Sequence, residues 1–280
     1  MGNSPESVLV PKKLDGERLD RALAALYPEI SRRKARSLIS DGRVEINGKC
    51  SRISSRTVLT GTQIQILPDK DLQLALYAKF PPLEPVYMDK DVVVINKPPG
   101  MAVQQGRNTN LPFIGGWWLH HHLGELKVVH RLDVPASGLI ILAKNRKAAA
   151  HLSEQFRNHI PRRIYAARLS GHLDQEPGEE ITVNLALDKD RGIAIPSPQG
   201  KPAITRITVT QRNPLSDDIK AQPDTGRFHQ IRAHLAHLNA PILGDKRYGG
   251  APSTRMHLHA CELTIDLPSG GQQRFESPAL

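Results

Sequence analysis

Cysteine is nearly missing from this chain: Cys50 and Cys261 are the only two in 280 residues, far apart and outside any CxxC pair. That excludes a disulfide-framed or cysteine–zinc scaffold and suits a reducing compartment. Aromatic residues make up only 4%, too few for a broad surface on which single-stranded bases stack. No apolar run approaches the ~18 residues of a membrane helix. Met1–Lys13 has neither the basic head nor the apolar stretch of a secretory signal, so the protein is expected in the cytoplasm. GxxxxGK[ST], GxSxG and HExxH are also missing, which removes a phosphate-binding loop, a serine-elbow hydrolase and a zinc peptidase. Acid is short as well: 28 Asp and Glu face 38 Lys and Arg, a net charge of +10. The surplus favours a polyanionic partner, nucleic acid first, since phosphate neutralisation supplies most sequence-independent affinity. A basic surface kept only for solubility is the competing explanation.

The length allows one large domain and a small one, and the first segment, residues 14–67, reads as the small one. Leu19, Leu23 and Leu26 recur at helical spacing until Tyr27-Pro28. Ser31 is placed to cap a second helix through Ser40, with Ala35, Leu38 and Ile39 on its buried stripe. Val44–Ile46 alternates like a strand, Asn47-Gly48 signals a hairpin turn, and Thr62–Ile66 alternates again. The second helix carries Arg32, Arg33, Lys34 and Arg36. Residues 1–67 hold 12 Lys and Arg against seven Asp and Glu, so half of the chain's excess charge sits in a quarter of its length. A solvated helix face usually mixes signs, and this one does not. The stretch RLDRALAALYPEISRRKARSLISDGRVEINGK, followed by Gly61-Thr62-Gln63-Ile64, resembles the S-four-type RNA-binding domain. The resemblance implies that Arg32, Arg33, Lys34 and Arg36 contact structured RNA.

Pro68, Pro81, Pro82 and Pro85 mark residues 68–85 as a linker. Beyond it, strand-like runs (92–95, 139–142, 181–187, 204–209 and 258–267) alternate irregularly with helical stretches at 116–125, 147–158 and 229–238. This is an α+β pattern, a mixed and mostly antiparallel sheet, without the regular alternation of a parallel βαβ fold.

Three stretches could carry chemistry. Val128–Asp133 sets His130, Arg131 and Asp133 between an apolar pair and the strand Leu139–Leu142. A carboxylate at such a border needs a cation or hydrogen bonds, which suits catalysis and a structural salt bridge alike. Thr225–His234 supplies Arg227 and Arg232 near a helix start, in keeping with forked recognition of phosphate or carboxylate, or with a purely structural arginine. Arg162–Leu169 sets Tyr165 on a basic strand, where a core tyrosine is the simpler reading. His120-His121-His122 fans around a helix, so at most two rings could share an ion, and no acid or cysteine lies at ligand spacing. No metal or other cofactor is expected.

Together, HRLD…SGLIILAK, IYAARLSG and GRFHQIRAHLAH resemble the RluA/RluD branch of pseudouridine synthases. INKPPGMAVQQG (Ile95–Gly106) and LGDKRYGG (Leu243–Gly250) match further blocks in the expected order. The resemblance implies isomerisation of uridine in structured RNA, ribosomal RNA of the large subunit first and transfer RNA as the alternative; a monomer is the default expectation. It implies that Asp133 attacks or stabilises during glycosidic cleavage, and that Arg131, with His130 beside it, engages the RNA where the target nucleotide leaves. Tyr165 should stack on the uracil, Arg227 should pair with Asp133, and Ile231 and Arg232 belong to the same motif. One departure stands out: Val134-Pro135-Ala136 replaces the basic residue, acid and threonine usual after the aspartate. That departure supports a rival, an RNA-binding or ribosome-assembly protein on the same fold without activity. Intact Asp133, Tyr165 and Arg227 count against it.

Overall fold

The computed structural model describes residues 7–67, 77, 80, 83–104, 112–120, 124–184, 187–190 and 192–278. The expected linker and the histidines at 121 and 122 fall largely or wholly outside these residues. The chain divides into two compact units, Met1–Pro81 with Gln105–Pro112, and Pro82–Gln104 with Phe113–Leu280.

In the first unit, helices α1 (Leu19–Leu26) and α2 (Arg32–Ser40) accompany a four-stranded antiparallel sheet. Its strands are β1 (Ser7–Leu9), β2 (Val44–Ile46), β3 (Lys49–Cys50) and β4 (Gln63–Ile66), in the order β1-β4-β2-β3. Ser31 Oγ accepts the Lys34 amide at 3.2 Å and so caps α2. Asn47 and Gly48 both take positive φ, 49° and 73°, the conformation a tight hairpin of this hand requires. Leu19, Leu23, Ala35, Leu38 and Ile39 close a small core with Val44, Ile46 and Ile64. The sheet begins before residue 14, because β1 pairs with β4 and Val10 joins the core.

The second unit is built on a ten-stranded mixed sheet. Its strands are β5 (Pro85–Met88), β6 (Val92–Lys97), β7 (Lys127–Val128), β8 (Ser137–Ala143), β9 (Arg162–Arg168), β10 (Glu180–Asn184), β13 (Ile204–Asn213), β14 (Ser216–Pro223), β15 (Leu258–Asp266) and β16 (Gln272–Glu276), while β11 (Leu187–Asp190) and β12 (Ile193–Pro196) form a separate ribbon. The main path runs β10-β13-β14-β9-β15-β8-β6-β5, antiparallel except where β15 meets β8. The helices are α3 (Ile114–His120), α4 (Arg146–Arg157) and α5 (Gln230–His237). Val92, Val94, Leu139 and Ile141 pack with Ala148 and Leu152 of α4. Their alternates Val93, Ile95, Ile140 and Leu142 are buried too, so the central strands are apolar on both faces and read as unbroken hydrophobic runs.

The β8–β15 contact fixes the site. Ser137 and Gly138 lie opposite His259 and Ala260. Gly138 has φ 112°, and a Cβ there would sit 2.4 Å from the Ala260 backbone nitrogen and oxygen. Only glycine fits, and the loop that precedes β8 is held against the centre of the sheet.

Candidate active site

That loop carries Asp133. The Ala136 amide donates to the Asp133 carbonyl at 3.1 Å and turns the chain into β8. The Val134 carbonyl accepts from the Gly100 amide at 2.8 Å and from Lys97 Nζ at 3.3 Å. Lys97, at the end of β6, is fully buried and also donates to the carbonyls of Pro98 and Met101, both at 2.9 Å. Burial pulls its ammonium down to about 7, and Asp133 works in the opposite direction. One ammonium thus joins the Pro98–Met101 turn to the Asp133 loop. Val134 and Pro135 add apolar surface to a cleft beside Asp133.

The Asp133 carboxylate is a quarter exposed and accepts from Arg232 Nη1 at 3.0 Å. Arg232 is buried on α5, and its other side is a two-point fork on Asp245, with Nε to Oδ2 at 2.7 Å and Nη2 to Oδ1 at 2.8 Å. Its guanidinium carbon stands 4.9 Å from the centre of the Tyr248 ring, a cation–π contact. His229 caps α5 in the left-handed region at φ 53°, and its Nε2 lies 3.8 Å from Asp133 Oδ2. Burial is the main cause that pushes its pKa down to about 4, so it adds no cation at neutral pH. Tyr248 Oη accepts from the Ala194 amide at 2.6 Å and contacts His229 Nδ1 at 3.1 Å.

Asp133 lies where two cavities meet. A narrow pocket of about 110 Å³ is lined by Tyr165, Arg163, Ile231, Leu258 and Arg227. Tyr165 is buried on β9 between Ala221 of β14 and Ala260 of β15, small neighbours that leave its ring room. Burial raises its pKa, with Arg163 opposing and Asp133 adding to the shift. A wider cleft of about 850 Å³ is lined by Arg131, Lys246, Arg247, Arg255 and Phe228, besides Asp133 and the Arg232–Asp245 pair. Phe228 is 41% exposed and stacks on His229 with ring centres 3.7 Å apart.

Sequence and structure differ on Arg227 and His130, and the structure adds a partner for Arg32 and Arg36. The pairing expected of Arg227 belongs to Arg232: Arg227 precedes α5 on a loop, lines the narrow pocket and donates Nε to the Pro202 carbonyl at 2.8 Å. His130 lines neither cavity. Its Nε2 accepts the Ile141 amide at 3.1 Å and its ring stacks on Phe156 at 4.2 Å, so it braces the loop from behind. Arg32 and Arg36, expected on RNA, are tied to Asp20 of α1. That fully buried carboxylate accepts Arg32 Nε at 3.0 Å, Arg36 Nε at 2.7 Å and Arg18 Nε at 3.0 Å. Arg33 and Lys34 are exposed on the same helix. Lys97, Asp245, Tyr248 and Phe228 carry no role in the sequence reading, although all four lie inside blocks singled out there.

A family model described as RNA pseudouridylate synthase matches residues 91–237, and one described as S4 domain matches residues 17–64. The chain is 32% identical over 285 residues to ribosomal large subunit pseudouridine synthase D of Escherichia coli (strain K12), covering 94% of this chain and 87% of that protein. It is 31% identical over 279 residues to the protein of the same name from Haemophilus ducreyi, covering 92% and 85%. Among solved structures it resembles human RNA pseudouridylate synthase domain containing 4, with TM-score 0.56 and 26% identity over 75% of this chain and 92% of that one. Human RNA pseudouridylate synthase domain containing 1 shares the fold, with TM-score 0.61 and 24% identity over 70% and 83%. The fold and the site therefore define an RNA-modifying isomerase, and the chain belongs to the RNA pseudouridylate synthase family. It is a pseudouridine synthase with an N-terminal S4 domain.

Proposed function

We propose that this protein converts uridine to pseudouridine in large-subunit ribosomal RNA, with transfer RNA as the second candidate, and that Asp133 is the carboxylate acting at the ribose carbon. The observation that carries this reading is the position of Asp133, where a narrow pocket holding Tyr165 opens into a wide cationic cleft. The relatives' printed names support the choice of RNA.

A paired uridine must leave its stack before any side chain reaches the glycosidic bond, at a cost of a few kcal/mol. Arg131 and the exposed ring of Phe228 are available to fill the gap and stack on neighbouring bases. Inside the pocket, Tyr165 is a neutral phenol at pH 7, a flat platform that can also give a proton. Arg232 supplies the cation beside Asp133, and Asp245 with Tyr248 fixes that cation in place. Product and substrate contain the same atoms, so the reaction needs no redox or group-transfer partner. Residues 14–67 serve as the RNA-docking module through Arg32, Arg33, Lys34 and Arg36, residues 68–85 as a linker and residues 86–280 as the catalytic domain, in a cytoplasmic monomer.

The test compares wild type with Asp133→Asn on bulk ribosomal and transfer RNA, mapping pseudouridine by carbodiimide-dependent primer extension. Modification by wild type alone, with RNA binding kept in both, is expected. Tight, salt-sensitive binding by both without modification would replace this reading with the binding-only one.

A further inference from the structure

Arg163 is a cation without an acid. It lies on β9 two residues before Tyr165, so both side chains leave the same face of the strand, and both line the narrow pocket beside Asp133. Arg163 Nη2 donates to the Thr225 carbonyl at 3.2 Å, and its guanidinium carbon is 6.0 Å from the Phe156 ring centre. Its Nε is buried and meets no acceptor. Among the described residues no carboxylate pairs with it, whereas its neighbour Arg162, on the opposite face, donates to Glu262 at 2.8 Å. A buried guanidinium N–H left without an acceptor is costly and calls for an explanation.

On the uridine-isomerase reading above, the reaction creates charge here. When the C1′–N1 bond breaks, its electron pair stays on the uracil and spreads to O2 and O4, while C1′, facing Asp133, becomes electron-poor. The base turns and bonds to C1′ through C5; C5 gives up its proton and N1 takes one, so no proton is gained or lost overall. The charge on the ring exists only between those two bond events. A donor that meets it there lowers the barrier without tightening substrate binding. We infer that Arg163 is this donor, a catalytic residue whose guanidinium hydrogen-bonds a uracil carbonyl oxygen and stabilises the expelled base.

The experiment measures single-turnover rates with excess enzyme on an unmodified large-subunit ribosomal RNA transcript. Arg163→Gln should slow modification by ~10²–10³-fold, the loss seen when one donor to a developing oxyanion is removed, while RNA affinity and melting temperature stay near wild type. Arg163→Lys should recover part of the rate, and Arg162→Gln should match wild type. A second transcript carries 5-fluorouridine, whose fluorine stabilises the uracil anion by itself, and bond cleavage is read as loss of 5-fluorouridine from the nucleoside digest. The Arg163→Gln deficit should shrink there by about tenfold or more, as it must if the lost interaction is made only in the transition state. An equal deficit on both transcripts, or a change confined to binding or melting, would overturn the inference and make Arg163 a clamp on the Thr225 loop. Inactive wild type would instead sink the isomerase reading itself, and this one with it.

Discussion

The two units use guanidinium–carboxylate contacts in opposite proportions. In the N-terminal unit one buried acid, Asp20, holds three arginines, Arg18, Arg32 and Arg36, whose side chains remain 43–52% exposed. In the catalytic unit one buried cation, Arg232, lies between two acids, Asp133 and Asp245. The first cluster carries a surplus of two positive charges and turns its spare donors to solvent, as a surface that meets phosphate should. The second carries a surplus of one negative charge and leaves only Asp133 partly open. On the proposed function, stoichiometry thus separates a docking face from a reaction centre where the paired groups are the same.

The comparison breaks most severely at Arg232. Arg232→Met should leave two carboxylates facing each other without their cation, destabilising the catalytic unit by ~3–5 kcal/mol and abolishing modification. Urea unfolding and pseudouridine mapping check this, and RNA binding through the N-terminal unit should survive. Arg232→Lys keeps the charge but cannot form the two-point fork on Asp245 while also reaching Asp133. It should be better folded than Arg232→Met yet still well below wild-type activity.

Position can be separated from charge at Gly138. Gly138→Ala places a methyl against the Ala260 backbone in a φ region closed to it, which should cost ~2–4 kcal/mol from overpacking and strain together. The charges around Asp133 are untouched, so lost modification here would show that the loop's register, and not only its electrostatics, matters. Unchanged activity would mean that β8 and β15 can part without moving Asp133.

Local patterns were legible in the sequence and long-range partners were not. Ser31, the stripe on α2 and the apolar run of β8 follow from spacing alone. The strand β14 is not among the strand-like runs of the sequence because it opens on Ser216, Asp217 and Asp218, residue types depleted in strands. In the fold, Asp217 is buried and accepts from Arg212 at 3.1 Å, with His172 Nδ1 at 2.9 Å. Arg227 and Arg232 lie in one motif, and spacing cannot decide which of them reaches an aspartate about a hundred residues earlier. The left-handed break at His229 decides it, because the helix starts after the break and turns Arg232 inward. Lys97, Arg163 and Asp245 are likewise defined by groups distant in sequence.

At Asp20 the effect should be smaller. Asp20→Asn should cost ~1–3 kcal/mol, since the three guanidiniums it releases are half exposed and can hydrate. RNA affinity should fall because the arginines lose their fixed directions, not their charge. Three arginines hold the Asp20 pKa well below the usual carboxylate range, against the effect of its burial. A carboxylate depressed in this way contributes stability that is complete above about pH 4 and is lost as the pH falls further. Acid titration followed by circular dichroism should therefore show the wild-type N-terminal unit outlasting Asp20→Asn below pH 4, with the gap closing at lower pH.

The smallest effects belong to Arg33 and Lys34, the exposed cations of α2 that Asp20 does not hold. Arg33→Gln and Lys34→Gln should leave stability within ~0.5 kcal/mol of wild type. If each side chain meets one phosphate of a duplex, each substitution should reduce the slope of log affinity against log salt by about 0.9. Arg36→Gln should differ in kind, changing stability and affinity together because it also removes a partner of Asp20. If the salt slope falls only in Arg36→Gln, docking runs through the cluster alone and the free cations are solvated decoration. If it falls in all three, Asp20 organises one half of a continuous phosphate-binding face, and the cluster's surplus of charge is its purpose.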